Sequence, residues 1–203
     1  GAIGGALGGA VITNTITNQV QAYIAGTSAT DKAKVINASQ LSILAESKSV
    51  IDALSLGASV GGVAAGATVV TATVGGYTKA YIGDYVEIGQ DSSSANTVGN
   101  IHVWTDTNGT VSSKTIGLTV GIGLALNGAV STSSYTRTIS TTISPTAMVK
   151  VTGNITVESV SQNRVISKAI GIAAGAGVSL GASVGTATAS PTMTTSVQTN
   201  GTL

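Results

Sequence analysis

A repeat constrains this chain more than any other feature of its sequence. Residues 99–130 (GNIHVWTDTNGTVSSKTIGLTVGIGLALNGAV) run without a gap onto residues 153–184 (GNITVESVSQNRVISKAIGIAAGAGVSLGASV). Gly99, Asn100, Ile101 and Val103 fall on Gly153, Asn154, Ile155 and Val157. Val111, Lys114, Ile116, Gly117, Gly121 and Gly123 fall on Val165, Lys168, Ile170, Gly171, Gly175 and Gly177. The offset is 153 − 99 = 54 residues, and self-similarity at such a period is the mark of a solenoid or another stacked array. Arrays of this kind bury their core between neighbouring copies, which favours a structural or adhesive element over an enzyme with one pocket.

Further registers extend the repeat in both directions. Ala22-Tyr23-Ile24 matches Ala80-Tyr81-Ile82 at an offset of 58, and Tyr77-Thr78-Lys79 matches Tyr135-Thr136-Arg137 at the same offset. Leu41, Ile43 and Leu56-Gly57 match Ile101, Val103 and Ile116-Gly117 at an offset of 60. Units of roughly 54–60 residues divide the chain into one repeat region, 1–203, with approximate units 1–40, 41–99, 100–153 and 154–203. Both ends fall in mid-repeat, so the chain reads as a piece or a processed subunit of something longer.

The material available for a core is unusual. Charged residues are 8%, glycine is 27 of 203, and there is no phenylalanine, where a typical soluble domain is about a quarter charged. Val, Ile, Ala and Gly must therefore fill the interior, and β-branched residues with glycine favour extended structure over helix. A net charge of +1 gives no warrant for nucleic acid or an anionic surface. The absence of cysteine removes disulfides and thiolate metal sites.

Four stretches, 1–30, 53–78, 115–136 and 169–203, carry no charge. Each is long enough to span a bilayer, which makes a membrane-spanning Gly/Ala-rich protein an alternative. Their Gly, Ala, Ser, Thr and Val content, their lack of flanking aromatic belts and their recurrence at the repeat period favour strands. Elsewhere alternation with period 2 signals half-buried strands, as in Ile101 and Val103 against His102 and Trp104. The glycine-rich halves predict thin, closely packed sheets. Residues 40–54 also fit a helix face, but their match to Ile101 and Val103 predicts strand. Turn chemistry marks connections at residues 26–34 and 89–100, at Asn108-Gly109 and Asn200-Gly201, and at Asn127-Gly128 as a hairpin turn or corner.

Residues 57–73 (GASVGGVAAGATVVTAT) running into 78–88 (TKAYIGDYVEI) resemble the repeats of giant bacterial filamentous adhesins, the leukotoxin-type and haemagglutinin-like exoproteins. The positions that carry the resemblance are Ala80-Tyr81-Ile82-Gly83-Asp84, Val86, Ile88, Gly99-Asn100, Ile101 and Val103. Ala22-Tyr23-Ile24 departs from it in being followed by Ala25-Gly26, and Thr138-Ile139-Ser140 stands for Ala-Tyr-Ile in the third unit. The resemblance implies a right-handed parallel β-solenoid stalk on a cell surface, secreted and bacterial, with no catalytic residue carried over.

Few residues suggest chemistry. His102 and Trp104, outside by parity, are a candidate surface contact for sugar or protein. Asp84, Glu87 and Asp91 offer oxygens to Ca²⁺, but their spacing fits neither an EF-hand nor a nonapeptide repeat, and Asp84 after Gly83 is more simply a turn residue. The acids are scattered, no nucleophile elbow is present, and the chain is read as no enzyme, with no cofactor and no metal. Thr-x-Thr pairs at Thr71/Thr73, Thr136/Thr138 and Thr186/Thr188 raise ice binding as an alternative, against which stands the lack of a short strict period.

The expectation is an all-β, right-handed parallel β-helix. It would act as a structural repeat of an extracellular adhesin or filament, joined to neighbouring repeats or identical subunits end to end, with surface receptors or glycans as further partners. The repeat positions are Gly57, Gly61, Tyr81, Gly83, Asp84, Gly99, Asn100, Gly117, Gly121, Gly153, Asn154, Gly171 and Gly175.

Overall fold

A computed structural model describes residues 4–89 and 97–198. Within them the chain is all β. The strands are β1 (Gly5–Ile24), β2 (Ala33–Val35), β3 (Ala38–Ile82), β4 (Val86–Ile88), β5 (Val98–Tyr135), β6 (Thr138–Ile143), β7 (Met148–Val149), β8 (Ile155–Gly175), β9 (Val178–Ala189) and β10 (Thr192–Val197). Every described pairing is parallel. The chain therefore pairs with itself one repeat on, through backbone hydrogen bonds that need no particular side chain.

The layout is tiered. Each tier has a short strand, a long outbound arm and a long return arm. The short strands β2, β4 and β7 stack into a three-stranded sheet of their own. The arms form one seven-stranded curled sheet. Residues 38–61 of β3 pair with 98–121 of β5, which pair with β8; the return arms add β1, residues 63–82, residues 124–135 with β6, and β9 with β10. Within the described residues, the uncharged stretches cover most of the return arms, the bends before them and the ends of the outbound arms that lead into those bends. No helix among the described residues is long and apolar enough to cross a membrane. Residues 40–54 are strand, as their alignment required.

The sequence registers hold in most places. Ile101 pairs with Ile155 and Gly117 with Gly171 at the 54-residue offset, Ala22 with Ala80 at 58, and Leu41 with Ile101 at 60. One match is corrected. Tyr77 pairs with Thr138, not Tyr135, and Thr141-Thr142-Ile143 stands beside Ala80-Tyr81-Ile82. The outbound arms of β3 and β5 already pair at an offset of 60, and a register shift between Gly61 and Val63, where the bend of the third tier holds one more residue, raises it to 61 on the return arm. The 58-residue likeness around Tyr135 is therefore not a structural register. An irregularity at the bend absorbs the difference without breaking the ladder on either side.

The two arms of a tier face each other. Ser113 Oγ lies 2.7 Å from both Ser131 Oγ and Ser133 Oγ, and Thr105 Oγ1 lies 2.9 Å from Thr141 Oγ1. Such contact needs small residues. A Cβ on Gly109 would collide with the Tyr135 ring, and one on Gly117 with Asn127. Asn108-Gly109 and Asn127-Gly128, expected as turns, lie inside β5. Gly109 is there for close approach, and Asn127 is buried and donates to Thr119 Oγ1 at 3.0 Å. Asn200-Gly201 lies outside the described residues.

The interior changes character along the arms. Near the short strands it is aliphatic: Ile43, Ile82, Ile88, Ile101, Val103 and Ile143 form one buried cluster. Burying each such side chain stabilises the fold by roughly 1.5–3 kcal/mol. A second cluster holds Ile51, Val70, Val74, Val111 and Tyr135. Towards the bends the buried side chains become Ser55, Ser59, Thr68, Thr115 and Thr119, while Leu56, Val60, Ile122 and Val178 stand outside with 63%, 72%, 71% and 66% of their surface exposed. Hydroxyls thus line part of an interior that the composition assigned to Val, Ile, Ala and Gly.

Candidate functional surface

The repeat positions come together as ladders along the arms, and Tyr81, Gly83 and Asp84 also line an open groove at one corner. Gly57, Gly117 and Gly171 are in register, as are Gly61, Gly121 and Gly175 at the bend. Gly153 N donates to Gly99 O at 3.0 Å, and Asn154 N donates to the Asn100 side chain at 2.9 Å. Tyr81 stacks on Tyr23 with ring centroids 4.9 Å apart. Burial, with the neighbouring Tyr23 and Tyr77, pushes the Tyr81 hydroxyl above its ordinary pKa. Gly83 N donates to Ile24 O at 2.8 Å.

Asp84 is a turn residue with a defined task. Its carboxylate accepts from the Ser144 and Thr146 hydroxyls, and these hold its pKa below the ordinary value. It thus staples the corner of one tier to the next. Beside it lies an open groove of about 460 Å³ lined in part by Tyr81, Asp84, Tyr85, Ser144 and Pro145. Glu87 is engaged by Lys32 at 2.7 Å and Lys34 at 3.4 Å; the Lys32 contact, then Lys34, lowers its pKa against the opposing effect of desolvation. Asp91, the third oxygen donor considered for calcium, lies outside the described residues. Among those described, no three His, Cys, Asp or Glu side chains gather as a metal site would require.

His102 and Trp104 do lie together on the outer face. Their rings stack with centroids 3.9 Å apart, and His102 Nε2 lies 2.8 Å from Glu158 Oε1. One face of the indole is therefore already covered by the imidazole.

Arg137 was not legible as a structural residue. It is almost wholly buried (1% exposed) between the arms. Its Nε donates to Thr78 Oγ1 at 2.9 Å, and its guanidinium reaches Ser49 Oγ at 3.2 Å and Asn18 O at 3.1 Å. Desolvation lowers its pKa. The sequence signal was its parity: it follows the interior positions Ser131, Ser133 and Tyr135 at steps of two.

The two outer flanks differ. The outbound arms carry Glu46, Lys48, Asp52, Asp106, Lys114, Glu158, Arg164 and Lys168. On the outer face of the return arms, Lys79 is the charge among the described residues; its ammonium lies 4.7 Å over the Tyr77 ring. That flank is instead a grid of three unbroken ladders. Val11, Val69, Val130 and Val184 are in register; beside them run Thr13, Thr71, Thr132 and Thr186, then Thr15, Thr73, Ser134 and Thr188. No register shift interrupts the grid. Two of the three Thr-x-Thr pairs seen in the sequence lie in it. No protein-family model matches this chain, and neither the curated proteins nor the solved structures compared with it give a match.

Proposed function

We propose that this chain is a structural segment of an extracellular bacterial adhesin or filament, a right-handed parallel β-helix whose tiers stack into a stiff stalk. The observation that carries the reading is the parallel ladder from β1 through β3 and β5 to β8 and β9, irregular only at the bends among the described residues. Each arm is held to the next tier's arm by backbone hydrogen bonds on both sides of the bend, so bending or shearing the stack requires many to break together. The resemblance to adhesin repeats supplies the cell-surface setting. In this reading the glycines of the ladders allow close approach, Asp84 and Asn100 fasten corners, and no side chain acts as a catalyst. Partners are neighbouring repeats or identical subunits joined end to end.

Far-UV circular dichroism and negative-stain microscopy of the detergent-free chain test it. A β spectrum with narrow rods is expected. A helical spectrum, or solubility in detergent alone, would overturn the stalk.

A further inference from the structure

We infer that the Val/Thr grid on the return flank is an adsorption surface for ice. The inference rests on the grid and does not depend on the stalk reading.

Spacing comes first. Outward residues two apart on one strand are separated by roughly 6.6 Å, and neighbouring strands by about 4.8 Å. The grid therefore repeats in two directions at distances set by the backbone. The oxygen repeats of hexagonal ice fall in the same range on both axes.

Rigidity comes second. Valine and threonine branch at Cβ and hold restricted χ1 values on a strand. Of the twelve grid positions all but Ser134 are Val or Thr. Methyls and hydroxyls are thus fixed before binding, which removes the ordering cost that weakens contacts made by mobile side chains. One hydroxyl contributes little against liquid water. An array presented at once gains by multivalency.

Chemistry selects the occupant. A protein partner would be met by aromatic or arginine anchors, as interface hot spots are, and the grid has none. A lipid layer would bury two hydroxyl ladders without partners, at a cost for each group. An ordered water lattice offers every hydroxyl both a donor and an acceptor, and its voids accept methyl groups. The neutrality of the flank fits as well. The outbound flank carries charges of both signs, as an ordinary solvated face does, whereas charges on the return grid would bind their own hydration water and disrupt a lattice.

The test is thermal hysteresis and ice-crystal shaping by the chain at a fixed concentration. The native sequence is expected to show both. Thr71→Tyr with Thr132→Tyr places two bulky rings at the grid centre and is expected to abolish them. Thr110→Tyr, on the outbound flank, is expected to leave them intact. Circular dichroism checks that each variant folds. If the tyrosine pair fails to fold, Thr71→Ser with Thr132→Ser keeps both hydroxyls, removes two methyls and frees χ1; a clear loss of hysteresis is expected. Absence of hysteresis in the native chain, equal loss in Thr110→Tyr, or adsorption to crystalline chitin or cellulose but not to ice would overturn the inference.

Discussion

Single residues show how a core can be built without large side chains. Thr115 is wholly buried, and its Oγ1 has no hydrogen-bond partner. Thr115→Val keeps the shape and removes an unsatisfied hydroxyl, so the chain should gain about 1 kcal/mol, read as a higher Tm. Arg137 is the opposite case. It satisfies Thr78, Ser49 and the Asn18 carbonyl from inside the arms, and Arg137→Met would leave these groups buried and unpaired. A loss of about 3 kcal/mol is expected in denaturant unfolding; an unchanged midpoint would show that the network contributes nothing. The glycines divide in the same way. Gly121→Val would drive its side chain into the Leu124 carbonyl, whereas a Cβ on Gly128 meets nothing within 4 Å. The first should lower Tm by the equivalent of about 1–3 kcal/mol, and Gly128→Ala should be neutral. The sequence placed Gly121 at a close approach because the repeat aligned it with Gly175. It could not separate Asn108-Gly109 from a turn, because Asn-Gly has the same local signature whether or not a Tyr135 ring lies opposite.

At the scale of elements, the short strands carry the pH sensitivity. Glu87 on β4 binds Lys32 beside β2 and Lys34 on β2, and Asp84 just before β4 binds Ser144 and Thr146 beyond β6. Both carboxyls are lowered from their ordinary values. The native state therefore holds fewer protons than the unfolded chain near the carboxylate range. Their stabilisation is present above an unfolded pKa of about 4 and is lost as the pH falls through the lowered native values. Tm should fall on acidification below about pH 4, and less steeply in Glu87→Gln, whose partner contact is already weakened. An identical acid limb in wild type and variant would place the sensitivity elsewhere. Element positions were largely readable, because period-2 alternation and the repeat agreed. The register of the third return arm was not. Its one extra residue sits in the bend at Ile122-Gly123, where glycine-rich sequence leaves nothing to count against.

Across the whole molecule, inside and outside exchange roles along each arm, and this was hidden from the sequence. Composition says only that hydroxyls and small apolar residues are abundant. Which of them face in depends on the packing of two arms, and the ladders join residues 54–61 positions apart, too far for a local pattern to show. The same distance concealed the threonine grid, whose strict period lies between tiers rather than along the chain. The bends are where the exchange is complete: Ser59, Thr119 and Asn127 are bonded inside, while Leu118 and Ile172 stack outside and are 41% and 49% exposed. Outward apolar rows add little to fold stability, and on the proposed stalk they are where a second copy would associate. Leu118→Ser with Ile172→Ser should accordingly leave Tm nearly unchanged, since exposed positions shift stability by within about 0.5 kcal/mol. The concentration at which light scattering begins should rise. If instead the double variant unfolds at a much lower temperature and scatters at the same concentration as the native chain, the rows serve the stability of the fold and not association.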